Sequence, residues 1–158
     1  MRAWRIYPHK AEYARAPGFD PLDGAGGRVA ANRWNEPGLA AVYAASNPSL
    51  AVLETLAHLS SPRQFGERML LEIELAEDVE EVSLEHVLRL REGAPPDDPE
   101  LHTRAFGTQW LEEKRSLALV VRRFVMPYGR NVIIKPGPAA AAGRAVVGGG
   151  LVGVDGRV

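Results

Sequence analysis

The sequence predicts an α+β domain, with a mixed β-sheet as its core and helices on its flanks, and three stretches carry that expectation. Residues 69–75 alternate Leu71, Ile73 and Leu75 with Glu72 and Glu74, the period of two that a strand with one solvated face requires. Asn47 and Pro48 supply a helix cap and a first helical position, after which Leu50, Leu53, Leu56, Ala57 and Leu59 recur at helical spacing. Residues 117–125 and 131–134 are two branched-apolar runs separated by Pro127 and Tyr128-Gly129, the pattern of a late strand pair. The 158 residues are 46% hydrophobic and 25% charged, which suits one folded domain with its own core rather than a disordered chain.

The remaining elements follow in chain order. Residues 4–7 suit a short first strand that stops at Pro8, whose missing N–H removes a ladder donor. Residues 16–27 are rich in Gly and Pro and read as turns. Residues 39–45 are an apolar run bounded by Gly38 and Ser46-Asn47, expected as a buried strand. In the helix that starts at Pro48, Leu50, Leu53, Leu56, Ala57 and Leu59 fill one side and Glu54 falls at its border; Pro62 lies beyond the end. Residues 93–99 hold three prolines and two aspartates and read as a loop, followed by a helix over 100–113 with His102, Phe106 and Trp110 on one face. From Pro136 onward almost every residue is Gly, Ala, Val or Pro, a composition that predicts a weakly ordered tail. The domain is therefore read as residues 1–136, with 137–158 packed loosely on it or partly disordered. No internal repeat is visible.

Composition removes several classes of function. A formal charge of −1 provides no overall basic field, and such a field supplies most non-specific affinity for nucleic acid. With no cysteine, disulfides, thiolate catalysis and thiolate metal sites all fall away. No apolar run reaches the roughly 18 residues of a membrane span, and the first residues lack the apolar run of a signal peptide. A cytoplasmic protein that binds neither membrane nor nucleic acid directly is expected. His9, His58, His86 and His102 show no metal-ligand spacing, so no metal is expected. Nucleophile-elbow and Walker fingerprints do not occur, and no dinucleotide-binding fingerprint opens a helix.

The candidate chemistry lies between residues 24 and 54. Gly24, Gly26 and Gly27 share a loop with Arg28 and Arg33; such a loop brings backbone N–H groups and guanidinium forks to a phosphate, and ordinary surface turns look the same. Glu54, at the border of its helix, is either a partly desolvated carboxylate in need of a cation such as Arg33, or a boundary glutamate reaching water or His58. Tyr43 is either a core tyrosine or a ring that stacks on a planar ligand. Trp34 is open to the same two readings.

Taken together, Arg33-Trp34-Asn35-x-Pro37-Gly38, Val42-Tyr43, Ser46 and Leu50-Ala51-x-Leu53-Glu54 resemble the RES domain in order and spacing. Arg5, Gly24-x-Gly26-x-Arg28, Trp110-Leu111 and Ser116-Leu117-Ala118-Leu119 extend the resemblance over roughly residues 1–136. The resemblance implies a variant ADP-ribosyltransferase fold and the toxin of a bacterial type II toxin–antitoxin system that consumes NAD⁺, by glycohydrolysis or phosphorolysis, and so arrests growth. Its alternatives are a mono-ADP-ribosyltransferase acting on a host protein and a catalytically weakened NAD-binding module. The implied partners are NAD⁺ as substrate, an antitoxin with an Xre-like helix-turn-helix domain, and inorganic phosphate or a host protein as acceptor. By the same resemblance Glu54, Arg33 and Tyr43 are catalytic, and Arg5, Arg28, Arg33, Trp34, Tyr43, Ser46 and Asn131 bind NAD⁺. Arg33 would hold the phosphates, Tyr43 would stack against or orient the nicotinamide end, and Glu54 would act on the ribose. The chain departs from the family pattern at Ala31-Asn32, where Gly-Gly is usual, at Arg123, which stands for the family's serine, and at Lys135, which stands for a second asparagine. The last two changes would add positive charge beside the pocket.

Overall fold

The computed structural model of the chain describes residues 1–122, 128–137 and 143–154. The sheet grows outward from β1 (Arg2–Tyr7), which pairs antiparallel with β3 (Glu67–Leu75) from Arg2↔Glu74 to Tyr7↔Met69. On its other side β1 meets β2 (Val42–Ala45) at the single register pair Trp4↔Ala45, so these two strands diverge. Beyond β2 come β6 (Arg130–Ile134) and β5 (Ala118–Arg122), both antiparallel, then β4 (Val79–Val82), parallel to β5. With β7 (Arg144–Gly153) against β3, the order is β4-β5-β6-β2-β1-β3-β7. The expected mixed sheet with flanking helices is what the chain forms.

Alternation decides which side chains enter which layer. Ala3, Val42, Ile73, Val120, Val132 and Ile134 point to one face of the sheet, where Leu22 covers them. Leu119, Val121 and Ile133 point to the other, under α3 (Leu84–Glu92) and α4 (Leu101–Glu113) through Val87, Trp110 and Leu111. Both faces of β5 are covered, and its residues from Ala118 to Val121 are all buried. That double burial is why the strand reads as an unbroken apolar run. Next along the sheet, α2 (Pro48–Ala57) lays Leu50 and Ala51 against Ala45, Trp4 and Ile6. Asn47 caps α2 as expected, its side chain accepting from Leu50 N at 2.8 Å.

Three expectations need correction, and one further segment forms elements that were not expected. The leucine side of α2 is not its buried side: Leu53 is 49% exposed, and the helix faces inward through Leu50, Ala51, Glu54 and Thr55. Within the stretch read as turns, residues from Ala25 onward form the short helix α1 (Ala25–Val29), entered through Gly24 at φ +70°, a left-handed conformation that favours glycine. The segment between β3 and residue 93 folds as β4 and α3, neither of them foreseen; Ser83 caps α3 by accepting from His86 N. The tail from residue 136 includes β7, ten residues paired with β3. Its glycines fit because β3 lies close: a Cβ on Gly149 would sit 2.9 Å from Leu70 O. Arg123 lies outside the described residues, as do the last three positions of the expected strand 117–125.

Candidate active site

The site is assembled on the divergence of β1 and β2. Where the two strands part, Arg5 donates from Nε to Pro21 O and from Nη1 to Tyr43 O, both at 2.9 Å, tying the glycine-rich loop to β2. Burial holds its guanidinium below the ordinary arginine value. The loop is drawn in by glycines: a Cβ on Gly24 or Gly27 would lie 2.8 or 2.7 Å from Ala41 N. These two glycines thus serve backbone packing, whereas Gly26 has open space around it; Gly26 and Gly27 both border the cavity.

Asn35 organises the next turn. It is fully buried, and its Nδ2 donates to Gly27 O and Glu36 O at 2.9 Å and lies 3.4 Å from Leu39 O. With the nitrogen so placed, Oδ1 faces Tyr43 and accepts from its hydroxyl at 2.6 Å. Burial of the phenol pushes its ionisation well above the ordinary tyrosine range, while a backbone hydrogen bond from Trp34 opposes the rise. Tyr43 is thus a protonated ring whose hydroxyl is committed to the protein. From outside, α4 presses on the same turn. Thr108 Oγ1 accepts from Glu36 N at 3.0 Å, Arg104 pairs with Glu36 at 3.3 Å and with Asp98, and Trp34 stands edge-on to Phe106 at 6.3 Å. Gly107 makes the approach possible, since a Cβ there would lie 2.0 Å from Trp34 O.

A cavity of about 500 Å³ results, within the usual range for small-molecule sites. β1 contributes Arg5, the turn contributes Asn32, Arg33 and Trp34, β2 contributes Tyr43, α2 contributes Glu54, Thr55 and His58, and Glu100 and Asn131 complete the lining. One carboxylate oxygen of Glu54 is sealed from solvent, and so is Asn131 Oδ1, which has no hydrogen-bond partner among the described residues. At the opening Arg33 Nε meets Glu100 Oε1 at 2.9 Å, with the two side chains 54% and 36% exposed. The ion pair of Arg33 is therefore with Glu100 and not with Glu54.

The RES domain model matches residues 2–152, and this decides the family. The chain belongs to the RES domain family. A protein of Sphingobium sp. (strain YBL2) named Prs ADP-ribosylating toxin is 38% identical over 143 residues, covering 89% of this chain and 85% of that one. Two proteins named Toxin Res, from Photorhabdus laumondii and Pseudomonas putida, are 34% and 36% identical, covering 72% and 77% of this chain and 71% and 82% of theirs. The crystal structure of the M. tuberculosis MbcT-MbcA toxin–antitoxin complex contains a chain that superposes with a TM-score of 0.68 at 16% identity, over 96% of this chain and 84% of that one; that likeness concerns the fold. Membership among these proteins gives the chain the toxin role expected from its sequence.

Of the residues singled out in the sequence of this RES toxin, Arg5, Arg33, Trp34, Tyr43, Glu54 and Asn131 line this cavity. Arg28 and Ser46 do not. Arg28 is exposed on α1, and the Ser46 hydroxyl accepts from Arg130 N at 3.0 Å while Ser46 N donates to Arg130 O, a clasp that holds the start of β6 next to Asn131. Lys135 also lies off the cavity, its ammonium 5.8 Å from the Trp110 ring centroid, and burial lowers its proton affinity. Glu100 and His58 line the cavity without having been singled out. His58 stands one turn beyond Glu54, a spacing visible in the sequence, whereas Glu100 had no signal beyond its place at the start of a helix. Among the described residues no group of three His, Asp or Glu could hold a metal ion, and no helix is long and apolar enough to cross a membrane.

Proposed function

We propose that this RES toxin binds NAD⁺ in the cavity and breaks the bond between nicotinamide and ribose. The observation that carries the reading is the convergence of Arg33, Tyr43, Glu54 and Asn131, four residues from separate segments, on one cavity. Arg33 takes the pyrophosphate through its guanidinium fork. The Tyr43 ring packs against the nicotinamide end; its hydroxyl, donated to Asn35, has no proton to exchange with the ligand. Asn131 Oδ1, an acceptor sealed from water, gains a donor from the ligand, an amide N–H or a ribose hydroxyl.

As the C–N bond breaks, nicotinamide leaves with the electron pair and positive charge builds on the ribosyl carbon. Glu54, held in a partly dry wall, stabilises that charge and orients the ribose hydroxyls. A nucleophile then completes the bond to carbon: water yields ADP-ribose, phosphate yields ADP-ribose phosphate, and a protein side chain yields an ADP-ribosylated protein. The name of the 38%-identical relative favours the last acceptor. An antitoxin with an Xre-like helix-turn-helix domain is the proposed partner, in the cytoplasm, and the fold likeness to a chain from a toxin–antitoxin complex supports an antitoxin.

The test is nicotinamide release from NAD⁺ by the purified toxin, free of antitoxin, in buffer alone, with phosphate, and with Prs as acceptor. Release in any arm supports the reading, and the product identifies the acceptor. No release in all three arms overturns it.

A further inference from the structure

We infer that Glu100 is an internal competitor of the substrate: it occupies the anion-binding side of Arg33 and sets how tightly a diphosphate is held. The inference rests on the assignment of Arg33 to the substrate's phosphates. Arg33 and Glu100 both line the cavity, and the Nε···Oε1 distance of 2.9 Å puts a carboxylate oxygen where a phosphate oxygen would bind the same guanidinium. Glu100 is close enough to the interior for its charge to act on the Tyr43 hydroxyl. A diphosphate entering the cavity therefore meets a like charge at the opening and displaces it from Arg33.

Glu100 is built to be displaced. Its main chain is fixed, the carbonyl accepting from Thr103 Oγ1 and Arg104 N at 2.9 Å, while its side chain remains 36% exposed and free to turn into water. The exchange trades one ion pair for another, so binding draws only on the difference between carboxylate and diphosphate as partners of Arg33. A diphosphate, with more charge and more acceptor oxygens, wins; a singly charged anion has little advantage over the resident carboxylate. Glu100 thus lowers the affinity of every anion that uses Arg33, and a diphosphate has the strength to overcome it.

The experiment is calorimetric titration of the full-length protein with inorganic pyrophosphate, and separately with acetate, for the wild type, Glu100→Gln and Arg33→Ala, together with KM and kcat for NAD⁺. Glu100→Gln is expected to tighten pyrophosphate about fivefold, to tighten acetate by no larger factor, and to lower KM by a factor similar to that for pyrophosphate; Arg33→Ala is expected to abolish pyrophosphate binding. Weaker pyrophosphate binding by Glu100→Gln would make Glu100 a support for Arg33 and overturn the inference. A tenfold loss of kcat would overturn it too, by placing Glu100 in the chemistry. If the wild type leaves NAD⁺ intact but the pyrophosphate results hold, the proposed reaction fails and the competition stands.

Discussion

On the sheet side of the cavity, Arg5 and Tyr43 spend their polar atoms on the protein itself, on Pro21 O, Tyr43 O and Asn35 Oδ1, and burial shifts both away from their charged forms. At the opening, Arg33 and Glu100 form an ion pair that stays in contact with water. The interior wall is thus rigid, while the rim carries exchangeable charge. A carboxylate has most leverage on a developing cation where water is excluded, and an ion pair exchanges partners most readily where water reaches it. The division of labour between the two walls predicts that interior changes act on kcat or on folding, and rim changes on KM.

The largest break in that comparison should come from Glu54→Gln, which keeps shape and removes charge: kcat for nicotinamide release is expected to fall by about 10²- to 10³-fold, with an unchanged melting curve. A loss confined to KM would move Glu54 from the inner wall to the rim. Gly107→Ala should be next, because the added methyl meets Trp34 O; a stability loss of about 3 kcal/mol is expected in urea unfolding. A stability within a few tenths of wild type would mean that the turn is not pinned by α4. Arg33→Ala, at the rim, should raise KM for NAD⁺ about tenfold with kcat much less affected, measured by steady-state kinetics.

Smallest is Tyr43→Phe, which retains the ring and deletes the hydroxyl held by Asn35; about 1 kcal/mol of stability should be lost while kcat stays within a factor of a few. If kcat collapses instead, the hydroxyl takes part in the reaction. The pH dependence checks the same point. Since burial raises the ionisation of Tyr43, the phenol stays protonated through the range in which an ordinary tyrosine titrates, near pH 10. The unfolded chain releases that proton first, so this group contributes stability that is fully present below about pH 10 and lost as pH rises beyond it. No tyrosine limb should appear in the rate profile near neutrality.

Elements with a local signature were legible in the sequence. Asn47-Pro48 announced α2, and the alternation at Leu71, Ile73 and Leu75 announced β3, because cap chemistry and strand period are properties of neighbouring residues. The orientation of α2 was not legible, since its leucines repeat as a core stripe would. In the fold, the side toward the cavity belongs to Glu54 and Thr55, and Leu53 faces out. β7 was missed because a run of Gly and Val has no period; its glycines make sense only beside the backbone of β3. α3 did carry a signal, Ser83 ahead of Leu84 and Glu85, that was passed over.

In the site, the pattern around Arg33, Tyr43 and Glu54 picks out three residues that line one cavity, yet nothing local distinguishes Arg28 from Arg33 as the arginine that reaches it. Glu100 becomes a site residue only through α4 packing on the Arg33 turn, a contact between segments far apart in the chain. Ser46 belongs to the motif but serves the β2–β6 junction.

The order of the strands has a consequence for how the toxin comes into being. β2 carries Tyr43, and its partner on one side is β6, which is synthesised some ninety residues later and brings Asn131 with it. A nascent chain that already includes Arg33, Tyr43 and Glu54 still lacks the strand that completes their wall, and such distant pairing forms slowly. Translation therefore sets a delay between the first appearance of the site's residues and the first complete cavity, an interval in which Tyr43 lacks the neighbouring strand that brings Asn131.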